Sequence, residues 1–133
     1  MIGPIKYRKG YKYQLAQDVS GQTPIKPERE IDTEFIKLSV DGFLFIKCGY
    51  AWDGATLVRD TKSAMTASLV HDCFYQLIRQ GYLPDAAKLE ADLLFYDLLR
   101  SHGMWIVRAK LWLAGLRIVS SHDQKPKEVY TAP

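Results

Sequence analysis

The spacing of apolar residues changes near residue 63, and this change constrains the fold more than any other feature of the sequence. Before it, apolar and β-branched residues alternate with a period of two, as in strands with one buried face. After it, they recur every three to four residues, as on the buried side of a helix. Strands followed by helices predict an α+β fold, with a small N-terminal antiparallel β-hairpin or sheet followed by three antiparallel helices.

A hairpin is the clearest local element of the first part. Asp41-Gly42 separates two apolar runs, 35–40 and 43–48. An Asp-Gly pair between such runs is a strong signal for a tight turn joining two antiparallel strands.

The helices of the second part are predicted at about 63–80, about 85–101 and about 104–120, separated by the short turns 81–84 and 101–103, which each contain one glycine. Connections this short favour antiparallel neighbours. At 133 residues we expect a single domain over 1–133, with a β part at about 1–56, a helical part at about 63–120 and a polar tail at 121–133.

The overall composition excludes several classes of protein. The formal net charge is only +3, so no specific nucleic-acid binding is expected. No apolar run approaches the ~20 residues of a membrane span, and the N-terminus lacks the apolar core of a signal peptide. The two cysteines, Cys48 and Cys73, are predicted to be buried and reduced rather than a disulfide framework.

Two polar residues stand on otherwise apolar helix faces. His71 shares its face with Ala67 and Phe74, and Asp92 shares its face with Leu89 and Phe95. A buried aspartate is costly unless a partner compensates it. The midpoint of 71 and 92 is 81.5, inside the turn between the first two helices. The two side chains should therefore meet at equal height across the interface.

Such a contact would make a catalytic dyad. The carboxylate of Asp92 would orient the imidazole of His71, whose other nitrogen would take a proton from water. Tyr75 and Tyr96 each lie four residues after a member of the pair and can offer hydroxyls to the carboxylate. The alternative is a buried His–Asp–Tyr network that only sets the register of the helices.

A cation site is a further hypothesis. Asp72 points about 100° away from His71 around the helix and can hold a hard cation if a loop supplies backbone oxygens. The candidate loop is 48–56, which contains Gly49 and Gly54. The alternative interpretation is that this loop is an ordinary connection between sheet and helix.

From about Phe35 to Gly115 the chain resembles a small family of uncharacterised proteins of tailed bacteriophages and prophages. The resemblance rests on the hairpin followed by GYAWDGAT, HDCFY and EADLLFYDLL. It implies a phage setting, with synthesis in the host cytoplasm, and it allows incorporation in the virion and contact with other virion proteins. It implies no particular activity.

The HDCFY and ADLLFY segments also resemble the paired active-site helices of phospholipases A2. That resemblance implies that His71 is a general base oriented by Asp92. It implies calcium at Asp72, completed by backbone oxygens of the 49–54 loop, and a lipid or other ester as substrate. The implied loop ligands are Gly49, Tyr50, Trp52 and Gly54.

Two functions therefore stand side by side. The first is a phage-encoded hydrolase with a His71–Asp92 dyad, assisted by calcium. The second is a non-catalytic virion, tail or assembly protein with the same network in a structural role. The first requires a solvent-reachable nitrogen on His71, and the second predicts a sealed His71 and an apolar patch elsewhere.

The third helix mixes cations with aromatic residues. This mixture is typical of a helix with one buried and one basic side, or of a helix that lies on an anionic surface.

Overall fold

In the computed structural model, the described residues are 2, 5–8, 13–52 and 62–122, with the side chains of 62, 63 and 119–122 left aside. The chain divides into two compact units, the first ending at Gly54 and the second beginning at Ala55. The predicted end of the β part, at 56, and nearly all of the predicted tail lie outside the described residues.

The first unit contains two antiparallel sheets. The smaller sheet has the order β1, β2, β7, and the larger has the order β3, β6, β5, β4. The strands are β1 (Tyr7–Arg8), β2 (Tyr13–Leu15), β3 (Val19–Gln22), β4 (Ile31–Asp32), β5 (Ile36–Leu38), β6 (Phe43–Ile46) and β7 (Ala51–Trp52). Alternate residues of β5 and β6, such as Ile36, Leu38, Leu44 and Ile46, are buried, as their period of two predicts.

The predicted hairpin is confirmed. β5 pairs with β6 in the register Leu38 to Leu44, and the backbone N–H of Gly42 donates to the carbonyl of Ser39 at 2.9 Å. Gly42 has a φ of 87°, a conformation that side chains disfavour. A Cβ at this position would also collide with the carbonyl oxygen of Thr23, so the turn requires glycine twice over.

The second unit contains α1 (Lys62–Arg79), α2 (Ala87–Ser101) and α3 (Ile106–His122), so the three predicted helices are confirmed. α2 packs against both α1 and α3. It begins at Ala87 rather than at 85 because the N–H groups of Ala87 and Lys88 donate to the carbonyls of Pro84 and Asp85, three residues back. Gly81 and Gly103 follow α1 and α2 with φ of 84° and 97°, the usual helix-ending conformation.

The core of the second unit consists of the facing sides of these helices. Fully buried side chains include Leu69, Phe74 and Leu77 on α1 and Leu98 and Leu99 on α2. α3 contributes Ala109 and Trp112, which are 0% and 4% exposed.

None of the described helices is both long enough and apolar enough to cross a membrane.

The thiols differ from the prediction in one respect. Both cysteines are free, but Cys48 is exposed while Cys73 is buried. Continued alternation from Leu44 and Ile46 would bury Cys48, but β6 ends at Ile46 and Cys48 lies in the turn that follows it, where the alternation no longer applies.

Candidate functional site

His71 and Asp92 meet across the interface between α1 and α2. Nε2 of His71 lies 2.7 Å from Oδ1 of Asp92. Asp92 is completely buried and His71 is 8% exposed. The predicted contact is confirmed, and it follows from the two apolar faces: burying each face turns its one polar side chain toward the neighbouring helix. The catalytic role of the pair stays a prediction.

Tyr75 completes the contact from α1. Its hydroxyl donates to the same Asp92 oxygen, Oδ1, at 2.8 Å. Its ring lies over the imidazole of His71, with 4.1 Å between the ring centres. One helical turn of α1 therefore supplies both donors to Oδ1.

Tyr96 is not brought to the carboxylate. It is half-buried, and within the described part of the chain the hydroxyl and nitrogen donors to Asp92 come only from α1 and α3. The two residues share one helix, and the carboxylate of Asp92 is turned away from Tyr96 toward donors on the neighbouring helices. The i+4 spacing alone could not decide this, because it places side chains on one face without fixing where their polar ends point.

Arg117 of α3 is the residue that sequence reasoning missed. Its Nη1 donates to Oδ2 of Asp92 at 2.8 Å, and its side chain is 43% exposed. A signal was available: the midpoint of 92 and 117 is 104.5, inside the turn between α2 and α3. The count that pairs His71 with Asp92 therefore also pairs Asp92 with Arg117.

Three donors from two helices hold the Asp92 carboxylate as an anion. Burial by itself would raise the pKa of Asp92, but the hydrogen bonds from His71, Tyr75 and Arg117 outweigh it and lower the pKa below its ordinary value. Asp92 is thus ionised over the whole neutral range. An anion in this position favours the proton of a neutral imidazole on Nε2.

The second imidazole nitrogen, Nδ1, is the one that is not bonded to Asp92. The only hydrogen bond of the His71 ring within the described residues is the one from Nε2 to Asp92. No described side-chain nitrogen or oxygen is both buried and without a hydrogen-bond partner. His71 is thus a nearly buried side chain, 8% exposed, with one ring nitrogen bonded to Asp92. With the proton on Nε2, Nδ1 carries a lone pair that can accept a proton from water.

The loop predicted to bind calcium is built into the first unit. Ala51 and Trp52 form β7, paired with β2, and the side chains of Tyr50 and Trp52 are each 2% exposed. The carbonyl of Tyr50 accepts from the N–H of Leu15 at 2.8 Å. Gln14 Nε2 donates to the carbonyl of Gly49 at 3.3 Å.

These contacts do not favour a calcium site. Two of the predicted carbonyl ligands already accept hydrogen bonds within the first unit, and Gly54 lies outside the described residues. Asp72, on α1, is half-buried. The described residues contain no group of three carboxylate, histidine or cysteine side chains that could hold a metal ion. Calcium binding stays a prediction.

Comparisons of this chain with protein-family models, with curated proteins and with solved structures find no match.

Proposed function

We propose that the protein is a small hydrolase in which His71 and Asp92 activate water toward an ester. One observation carries the proposal: Nε2 of the His71 imidazole bonds to a buried carboxylate at 2.7 Å, and Nδ1 makes no hydrogen bond to a described residue. This is the arrangement that a histidine general base requires. The proposal also requires that water reach Nδ1, and a sealed Nδ1 would favour a purely structural network.

The chemistry follows from the two nitrogens. Nδ1 accepts a proton from water as the oxygen attacks the ester carbonyl carbon, and the imidazolium then donates that proton to the departing alkoxide. Asp92 stays ionised and stabilises the imidazolium between the two transfers. Tyr75 and Arg117 hold the carboxylate in place. General base catalysis of this kind typically contributes about 10²–10⁴-fold in rate.

The kind of ester that the hydrolase would cleave is suggested by the resemblance to phospholipases A2. That resemblance favours a phospholipid-type ester and a role for calcium, and the resemblance to the phage family favours action in an infected cell. Asp72 is the carboxylate on α1 nearest in sequence to the dyad, so it is the residue through which a calcium requirement would act.

The test is hydrolysis of esters with different head groups, including micellar phospholipid, with calcium or with a chelator. We expect His71→Asn to abolish hydrolysis while the fold survives, because asparagine keeps some hydrogen bonding but cannot accept the proton. Asp92→Asn should lower the rate strongly. Asp97→Asn, a change of the same kind at an exposed position of the same helix, should leave it unchanged. Equal rates for wild type and His71→Asn would refute the dyad.

A second candidate is a non-catalytic virion, tail or assembly protein, in which the His71–Asp92–Tyr75 network sets the register of the helices. The observation that favours it is a set of exposed apolar side chains on α3, including Val107 (67%) and Leu111 (68%). Large apolar side chains left in water on one helix face are typical of a surface that binds a partner. No activity on any ester, together with partner binding through α3, would favour this candidate.

A further inference from the structure

The outer face of α3 carries a regular apolar row. Val107, Leu111, Ala114 and Ile118 are spaced four, three and four residues apart, so they line one side of the helix. The three larger side chains are 67%, 68% and 60% exposed, and Ala114 is exposed as well. The opposite side of α3 is already buried through Ala109 and Trp112. α3 is thus apolar on two sides: the side with Ala109 and Trp112 is buried, and the side with Val107 and Leu111 is exposed.

The spacing of the row is that of a coiled-coil seam. Val107 and Ala114 occupy d positions of a heptad, and Leu111 and Ile118 occupy a positions. From Val107 to Ile118 the row extends for about 16 Å along the helix. A helix side of this kind is complementary to the apolar seam of another helix.

The charges of α3 flank this row. In the same heptad Arg108 falls at an e position, and Lys110 and Arg117 fall at g positions. These are all the charged residues between Ile106 and Ser121, and every one is a cation. The e and g positions determine which partner a coiled-coil helix accepts.

We propose that the outer face of α3 binds an amphipathic helix of a partner protein whose apolar seam is flanked by acidic residues. Such a partner covers the row and places carboxylates against Arg108 and Lys110. A second copy of α3 offers only cations and no carboxylate beside its seam, so self-pairing lacks the opposite charges that would stabilise it. This inference is independent of whether the dyad hydrolyses esters.

The experiment uses the full chain and two synthetic helices of about three heptads. Both peptides carry isoleucine at a and leucine at d. One has glutamate at every e and g position, and the other has lysine there. We expect the acidic peptide to bind about tenfold more tightly than the basic one at low ionic strength, with the difference shrinking as salt is added.

Substitutions at exposed positions test whether the acidic peptide binds the outer face of α3. Leu111→Glu should abolish binding, whereas Leu89→Glu, at an exposed leucine of α2 (49%), should not. Arg108→Glu combined with Lys110→Glu should reverse the preference in favour of the basic peptide. Lys26→Glu combined with Arg29→Glu makes the same change in net charge at exposed sites of the first unit and should leave the acidic peptide preferred.

Several results would overturn the proposal. Equal binding of the two peptides, or binding of neither, would remove the role of the flanking cations. Sedimentation that reveals a dimer disrupted by Leu111→Glu would assign the face to a second copy. Binding to phosphatidylserine vesicles that the acidic peptide cannot displace would assign it to a membrane. Thermal melts of each variant confirm that a loss of binding is not a loss of fold.

Discussion

Replacing Asp92 by alanine tests whether the buried carboxylate is the centre that joins the three helices. The substitution removes the acceptor of three hydrogen bonds, from His71 and Tyr75 of α1 and Arg117 of α3. Asp92 itself is completely buried, so no water can take its place without opening the interface. We therefore expect Asp92→Ala to lower the free energy of unfolding.

The magnitude follows from how well each donor can find water instead. The bonds from His71 and Tyr75 lie in the packed interface and are worth about 1–1.5 kcal/mol each. The Arg117 side chain is 43% exposed, so its pair with Asp92 is screened and adds at most about 1 kcal/mol. The expected loss for Asp92→Ala is about 2–4 kcal/mol. Asp92→Asn keeps one acceptor oxygen for α1 and should cost about 1–2 kcal/mol.

The stability that the Asp92 carboxylate contributes depends on pH. The folded-state pKa of Asp92 is lowered from its ordinary value of 3.8. A lowered carboxyl pKa gives stability that is present above the ordinary pKa and lost as the pH falls through the folded value. The stability difference between wild type and Asp92→Asn should thus be constant above about pH 5 and shrink below about pH 4.

Urea unfolding followed by the helical circular dichroism signal measures these differences over a series of pH values. The matched control is Asp97→Ala, at an exposed position of the same helix, which should change the unfolding free energy by less than about 0.5 kcal/mol. An Asp92→Ala protein as stable as this control would refute the argument. A difference that stays constant down to about pH 2 would refute the electrostatic part of it.

Three further predictions concern the neighbouring residues and the turns. Tyr75→Phe should cost about 1 kcal/mol and Tyr96→Phe less than about 0.5 kcal/mol in urea unfolding, because only the first hydroxyl bonds to Asp92; equal costs would contradict this. If a cation assists the reaction, Asp72→Asn or a chelator should lower the ester hydrolysis rate by orders of magnitude, and unchanged rates would remove calcium but not the dyad. Gly42→Ala should destabilise the protein more than Gly81→Ala, since a Cβ at Gly42 meets the Thr23 carbonyl while one at Gly81 meets no atom within 4 Å; thermal melts that rank the two in the opposite order would disprove it.

Much of the site follows from the sequence, because it depends on regular helix geometry. The period of 3.6 places His71 and Asp92 on apolar faces, and the short turn at 80–86 fixes the height at which those faces meet. The Asp41-Gly42 hairpin is equally local, since its turn depends on a glycine conformation and its strands on alternation. Each of these features depends on residues close in sequence or related by one short connection.

Other features depend on where side chains and strands meet after folding. Whether Tyr75 or Tyr96 reaches Asp92 depends on the direction of the carboxylate, and the reach of Arg117 depends on the packing of α3. Tyr50 and Trp52 became core residues beside β2, a pairing with residues more than 30 positions away, which no local pattern specifies. The sequence by itself thus determined which helix faces are apolar and which polar residues interrupt them. Only the tertiary structure decided which donors surround Asp92 and which apolar side of α3 stays exposed, because both depend on contacts between elements rather than on periodicity within one.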